Sequence, residues 1–133
     1  MTENQYDPQP MGKPILCLDF DGVIHSYTSG WKGVKEIPDP PVPGVFEWMK
    51  KAIHIFDIHI YSSRSMEAAG RKAMYLYIRD HGGDSLATQV VYVSEKPRAF
   101  ISIDDRCVQF NGDWSDPMLD PEMLRKFKPW NKR

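Results

Sequence analysis

Hydrophobic and polar positions come in blocks along this chain. Ile15-Leu16-Cys17-Leu18 is a continuous apolar run that stops at Asp19 and meets Gly22. Such a run predicts a strand buried on both faces, as in a parallel sheet. Phe56–Tyr61 predicts a second strand and ends at Ser62-Ser63. Gln89–Val93 predicts a third strand, Phe100–Ile103 a fourth that ends at Asp104-Asp105, and Val108–Phe110 a short fifth. Between these runs the period becomes helical. In Gly44–His54, Val45, Trp48, Met49 and Ala52 share one face, with Glu47, Lys50 and Lys51 off it. Met66–His81 predicts a second helix, capped by Ser65 and stopped by Gly82-Gly83. Pro121–Phe127 predicts a short one with proline at its first position. The stretch His25–Pro43, rich in glycine and proline, reads as a loop with a small hairpin around Tyr27–Val34. Strands alternating with helices imply an α/β fold, a Rossmann-like, mostly parallel sheet flanked by helices. Residues 13–133 are expected to form that single domain, after a flexible, Pro-containing tail over 1–12.

A length of 133 residues suits one domain with its own core. Lys plus Arg number 17 and Asp plus Glu 18, so the charge is nearly balanced, which argues against a wholesale electrostatic nucleic-acid binder. The apolar runs fall far short of the ~20 residues of a membrane span. Met1–Pro10 has no basic-then-apolar signal-peptide pattern. Cys17 and Cys107 form neither a disulfide framework nor a zinc motif. Each lies in an apolar stretch and is expected as a reduced core residue, in keeping with a cytoplasmic setting.

In open α/β sheets, ligands bind beyond the carboxyl ends of the strands. The residues expected at those ends are Asp19 and Asp21, then Ser62, then Lys96, then Asp104 and Asp105. Four carboxylates on one edge repel one another. A hard divalent cation relieves that repulsion, and oxygen ligands of this kind suit Mg²⁺. The expected metal ligands are therefore Asp19, Asp21, Asp104 and Asp105.

Four short stretches carry a resemblance. They are Asp19-Phe20-Asp21-Gly22-Val23 after a hydrophobic strand, Ser62 after Ile58-His59-Ile60-Tyr61, Lys96 within Ser94-Glu95-Lys96-Pro97, and Ile103-Asp104-Asp105-Arg106. In this order and spacing the chain resembles the haloacid dehalogenase-like superfamily of phosphohydrolases over about Ile15 to Phe110. The resemblance implies a Mg²⁺-dependent phosphomonoesterase acting through an aspartyl-phosphate. Asp19 would be the nucleophile, and Asp21 would protonate the leaving oxygen and then activate water. The Phe20 carbonyl would help hold the metal, Asp105 would ligate it directly, and Asp104 would stand nearby or bridge through water. Ser62 would bind phosphoryl oxygens, and Lys96 would neutralise Asp19 and the transferring group.

Several positions stay open at this stage. Ser62 either ends a strand or binds phosphate, and Ser63 is the other candidate for that task. Lys96 is either at the site or solvated. Arg64 and Arg106 either bind substrate phosphate or brace the carboxylates. His25 follows the first motif closely enough to line the site, whereas Asp113 and Asp116 read as turn residues. The spaces between Asp21 and Gly44 and between Ser62 and Lys96 are too short for a folded cap. An open, capless site admits a small molecule or a macromolecular end as the phosphorylated substrate. Tyr27–Ile37, with Tyr27, Trp31, Lys32 and Lys35, is the flap that could stack a base, and the plainer reading is that Trp31 packs on the domain. The basic run Arg125–Arg133 reads as a weak nucleic-acid patch or as plain solubility. A protein phosphatase of the same superfamily is one alternative, although Val23 departs from its usual first motif. A regulatory domain that binds Mg²⁺ and phosphoryl groups without turnover is the other.

Overall fold

The run Ile15–Leu18 forms β1, which is hydrogen-bonded on both sides in the computed structural model of the chain, covering residues 12–133. On one side it pairs with β2 (Asp57–Ile60), and β2 pairs with β3 (Val91–Tyr92). On the other side it pairs with β4 (Ile101–Ile103). All pairs are parallel and the order is β3-β2-β1-β4. The fold is thus a small α/β domain with a four-stranded parallel sheet. The sequence order reverses across β1 and β4. That is the place where open parallel sheets leave a crevice at their carboxyl edge.

Helix α1 (Val45–Ala52) links β1 to β2, and α2 (Ala68–Gly82) with α3 (Asp84–Gln89) link β2 to β3. Leu16 and Leu18 of β1 and Ile58 and Ile60 of β2 are buried against Phe46, Met49, Met74, Ile78 and Leu86 of the helices. Alternate residues of both strands therefore feed one core, as the strand period requires. The buried face of α1 is Phe46, Met49 and Ala52; Trp48, expected on that face, is exposed. Helix α2 does not start at a Ser65 cap. Ser65 N–H donates to the Ser62 carbonyl, closing a turn, and Ser65 Oγ accepts from Ser62 N–H at 2.9 Å. With its hydroxyl spent inside the turn, Ser65 leaves the cap position to Glu67, which makes no side-chain cap bond. The stop at Gly82-Gly83 forms as expected, with Gly83 at φ 98°.

Three further expectations are corrected. Residues 84–89 are helical because Leu86 and Ala87 are drawn into the core, so β3 is shorter than Gln89–Val93. Val108–Phe110 forms no strand, β4 is exposed along its length, and Cys107 lies on the surface. The hairpin around Tyr27–Val34 is absent; two isolated bridges, Asp21 to His25 and His25 to Pro41, hold this loop instead. Cys17 is buried as expected, and burial raises its thiol pKa. The tail over 1–12 lies outside the described residues except for Gly12. Among the described residues, no helix is long and apolar enough to cross a membrane.

Candidate active site

β1 and β4 end side by side, and Asp19 N–H donates to the Ile103 carbonyl at 3.1 Å, so the ladder runs one residue past β1. This juxtaposition brings the carboxylate of Asp19 beside those of Asp104 and Asp105. One oxygen from each lies within 4.8 Å of the others. Gly22 makes the packing possible. Its φ is 82°, in the left-handed region, and a Cβ there would collide with the Asp105 carboxylate.

Three crowded carboxylates change one another's chemistry. Burial, then the charge of Asp104, pushes the Asp19 carboxyl up to about 8, against the lowering effect of the Phe20 N–H it accepts at 2.8 Å. Burial also raises Asp105, and Asp19 and Asp105 are hydrogen-bonded to each other. The cluster therefore retains a proton that separate carboxylates would lose. A divalent cation in its place would meet three hard oxygen donors, so the residues present fit such an ion.

Asp21, expected among the metal ligands, stands outside that triad. Its carboxylate accepts from Arg64 Nε at 3.0 Å and from Arg64 Nη2 at 3.2 Å, and it lies 2.9 Å from His25 Nδ1. The histidine tautomer follows from the backbone. Asp39 N–H donates to His25 Nε2 at 3.1 Å, so the ring proton sits on Nδ1 and is donated to Asp21. His25 is fully buried, packed between Phe20 and Tyr77. Asp39 in turn accepts from the N–H and hydroxyl of Ser29, which hold its carboxyl below the usual carboxylate range. Asp21, His25 and Asp39 thus tie the first motif to the loop that follows it.

Arg64, for which substrate phosphate and bracing of the carboxylates were both open, is completely buried. Besides Asp21 it donates from Nη1 to the carbonyls of Gly33 at 2.9 Å and Val34 at 2.8 Å, and its guanidinium lies 4.8 Å from the Trp31 ring centroid. Its donors are occupied inside the protein, so it braces Asp21 and the 27–39 loop. Trp31 accordingly covers Arg64, in line with the plainer reading of the flap. The Phe20 carbonyl, expected to help hold the metal, accepts from the N–H groups of Val23, Ile24 and His25 at 3.2, 2.8 and 3.0 Å. Three donors use up its lone pairs, so it is not available to a cation.

The two serines divide. Ser62 is buried; its hydroxyl donates to Met74 Sδ at 3.5 Å and accepts from Arg64 N–H at 3.0 Å. Ser63 is exposed, and both residues border a cavity of about 300 Å³ that also contains Asp19, Asp21, Asp104 and Asp105. Lys96 lies on the other side of Asp19, in a recess of about 120 Å³ shared with Cys17, Asp19 and Asp104. It is exposed and makes no ion pair with Asp19 within 4.0 Å. Arg106 borders the main cavity, and its N–H donates to Asp104 Oδ1 at 2.9 Å. Asp113 and Asp116 are turn residues, accepting from Ser115 N–H and Met118 N–H at 2.9 Å each.

Sequence reasoning missed part of the cavity wall. Pro129, Asn131 and Lys132 border it together with Tyr27, although they lie more than a hundred residues from the first motif. No local pattern announced this. The only hint was a tryptophan after Pro129 within an otherwise basic run.

Fold and site together define an α/β domain with carboxylates gathered at the switch point of a parallel sheet. No protein-family model matches the chain, and no curated protein or solved structure matches it either.

Proposed function

We propose that this protein is a Mg²⁺-dependent phosphomonoester hydrolase of the haloacid dehalogenase-like kind, working through a phosphorylated Asp19. The observation that carries this reading is the gathering of Asp19, Asp104 and Asp105 within 4.8 Å at the switch point, with Asp21 on the same cavity. An Asp19 carboxylate oxygen attacks phosphorus, the bond from phosphorus to the leaving oxygen breaks, and Asp21, having first taken a proton from solvent, gives it to that oxygen. Water then attacks phosphorus, returns a proton to Asp21, and breaks the bond to Asp19, releasing inorganic phosphate. Asp19, Asp104 and Asp105 would hold the cation, which supplies the charge neutralisation a carboxylate needs to approach a phosphate dianion. Lys96 lines a recess with Asp19 and would neutralise it on moving to ion-pair distance, and Ser63 is the hydroxyl on the open side. Arg64 and His25 fix Asp21, so proton transfer requires Asp21 to exchange one of these donors for the leaving oxygen.

The test is phosphate release from a small aryl phosphate with and without Mg²⁺, for wild type and Asp19→Asn. Metal-dependent release that falls by roughly a thousandfold or more in the variant is the expected result. Release at the wild-type rate from Asp19→Asn would overturn the mechanism. One observation favours a second reading, a phosphoryl-binding domain without turnover: Asp21 is already engaged by two internal donors. Tight Mg²⁺-dependent phosphate binding with no release from aryl phosphate, nucleotides, phosphorylated oligonucleotide ends or phosphopeptides would select it.

A further inference from the structure

The segment 129–132 is fastened to the loop of the first motif by side chains that give up their polar atoms to it. Trp130 Nε1–H donates to the Gly22 carbonyl at 2.7 Å, and Asn131 Nδ2–H donates to the Ser26 carbonyl at 3.0 Å. Pro129 is buried beside them. A 3-10 turn over Trp130–Lys132, closed by Lys132 N–H on the Pro129 carbonyl at 3.0 Å, then directs the chain along the cavity. Two carbonyls of the very loop that positions Asp21 thus hold this segment, and Lys132 becomes part of the cavity wall.

The charge inventory of the cavity gives that position a use. Asp19, Asp21, Asp104 and Asp105 face Arg106 and Lys132. Two other cations of the region lie outside this lining. Arg64 is buried against Asp21 and two carbonyls, and Lys96 occupies the separate recess across Asp19. The cavity is small, and Tyr27 is its only aromatic residue among the described ones, so it suits a small phosphomonoester better than a stacked base.

We propose that Lys132, carried into the site by the Trp130 and Asn131 anchors, is a substrate-binding residue that pairs with the phosphoryl group of a small phosphomonoester. The proposal rests on the phosphohydrolase reading above. The experiment is calorimetric titration of the protein with inorganic phosphate in saturating Mg²⁺, for wild type, Lys132→Ala, Lys132→Arg and Trp130→Ala. The thermal stabilisation by Mg²⁺ alone is measured for each in parallel. Lys132→Ala is expected to bind phosphate on the order of tenfold more weakly, the effect of one charge-assisted hydrogen bond. Lys132→Arg should recover most of that loss, Trp130→Ala should weaken binding like Lys132→Ala, and the Mg²⁺ stabilisation should stay at the wild-type value throughout. Phosphate binding within about twofold of wild type in Lys132→Ala would overturn this assignment and leave the phosphohydrolase reading standing. Absence of phosphate binding by the wild-type protein would overturn that reading and this assignment with it. Should Trp130→Ala lose its fold, the two Lys132 variants decide the question.

Discussion

Replacing Asp19 by asparagine should make the protein more stable at neutral pH in the absence of divalent cations. The variant keeps an oxygen to accept the Phe20 N–H and removes one of three carboxylates that stand within 4.8 Å of one another. Two unit charges at that separation repel by about 3 kcal/mol at an effective dielectric constant of 20. The folded protein limits this cost by keeping Asp19 protonated. Relative to its ordinary value of 3.8, holding the proton at pH 7 costs about 4 kcal/mol, at roughly 1.4 kcal/mol per unit. Relaxation and solvent around the partly exposed triad reduce both figures, and a gain of about 2 kcal/mol is expected for the variant. For a chain of this length that is a rise in Tm of about 7 °C, from an unfolding entropy of roughly 2 cal/mol/K per residue.

The pH dependence carries the sign. Below about pH 4 the folded and unfolded chains both hold the Asp19 proton, and the variant and wild type should agree closely. Between there and about pH 8 the unfolded chain has released a proton that the folded chain retains, so wild-type stability falls as pH rises. The variant lacks this term, and the gap should widen across that window. On the proposed cation site Mg²⁺ should reverse the order, because it would meet three carboxylates in the folded wild type and two in the variant. The assay is thermal and urea unfolding at pH 4.5 and pH 8, in chelator and in Mg²⁺. A variant no more stable than wild type at pH 8 in chelator, or a gap that does not change with pH, would refute the reasoning.

Other outcomes follow from contacts described above. Arg64→Met should cost about 3–5 kcal/mol in urea unfolding, because it leaves the Asp21 carboxylate and the Gly33 and Val34 carbonyls without their partner. Arg64→Lys should recover only part of the loss, since an ammonium cannot reproduce the planar fork. Gly22→Ala should lose about 1–2 kcal/mol from left-handed backbone strain. It should also blunt the stabilisation by Mg²⁺, because the new methyl displaces the Asp105 carboxylate. Ser62→Ala should lose about 1 kcal/mol of stability with its inward hydrogen bonds. Ser63→Ala should leave stability within about 0.5 kcal/mol and weaken phosphate binding instead, as calorimetry would register.

The apolar run Ile15–Leu18 was enough to predict a strand of a parallel sheet, because a segment buried on both faces has few other uses, and Phe56–Tyr61, where Ile58 and Ile60 alternate with Asp57 and His59, was enough to predict a second strand. The acidic residues after Leu18 and Ile103 were legible for the same reason: a strand's end in an α/β sheet is where polar chemistry can reach solvent. Pattern alone did not reveal which side chains turn inward. Ser62 and Arg64 carry the same local signature as ligand-binding residues, yet one hydroxyl rests on Met74 and the guanidinium is enclosed by Asp21, two carbonyls and Trp31. The Phe20 carbonyl, an expected cation ligand, is occupied because the chain after it curls back and donates three N–H groups. These outcomes depend on the path of the 27–39 loop, which glycine and proline mark as irregular without specifying its course. The wall formed by Asn131 and Lys132 is the extreme case. It exists because Trp130 and Asn131 meet carbonyls more than a hundred residues earlier, and a contact at that separation leaves no periodicity for a linear reading to detect. Strand identity and the position of the acidic edge follow from short-range hydrophobic order. The division of that edge into a cation-sized triad, a braced Asp21 and a basic wall is decided by packing.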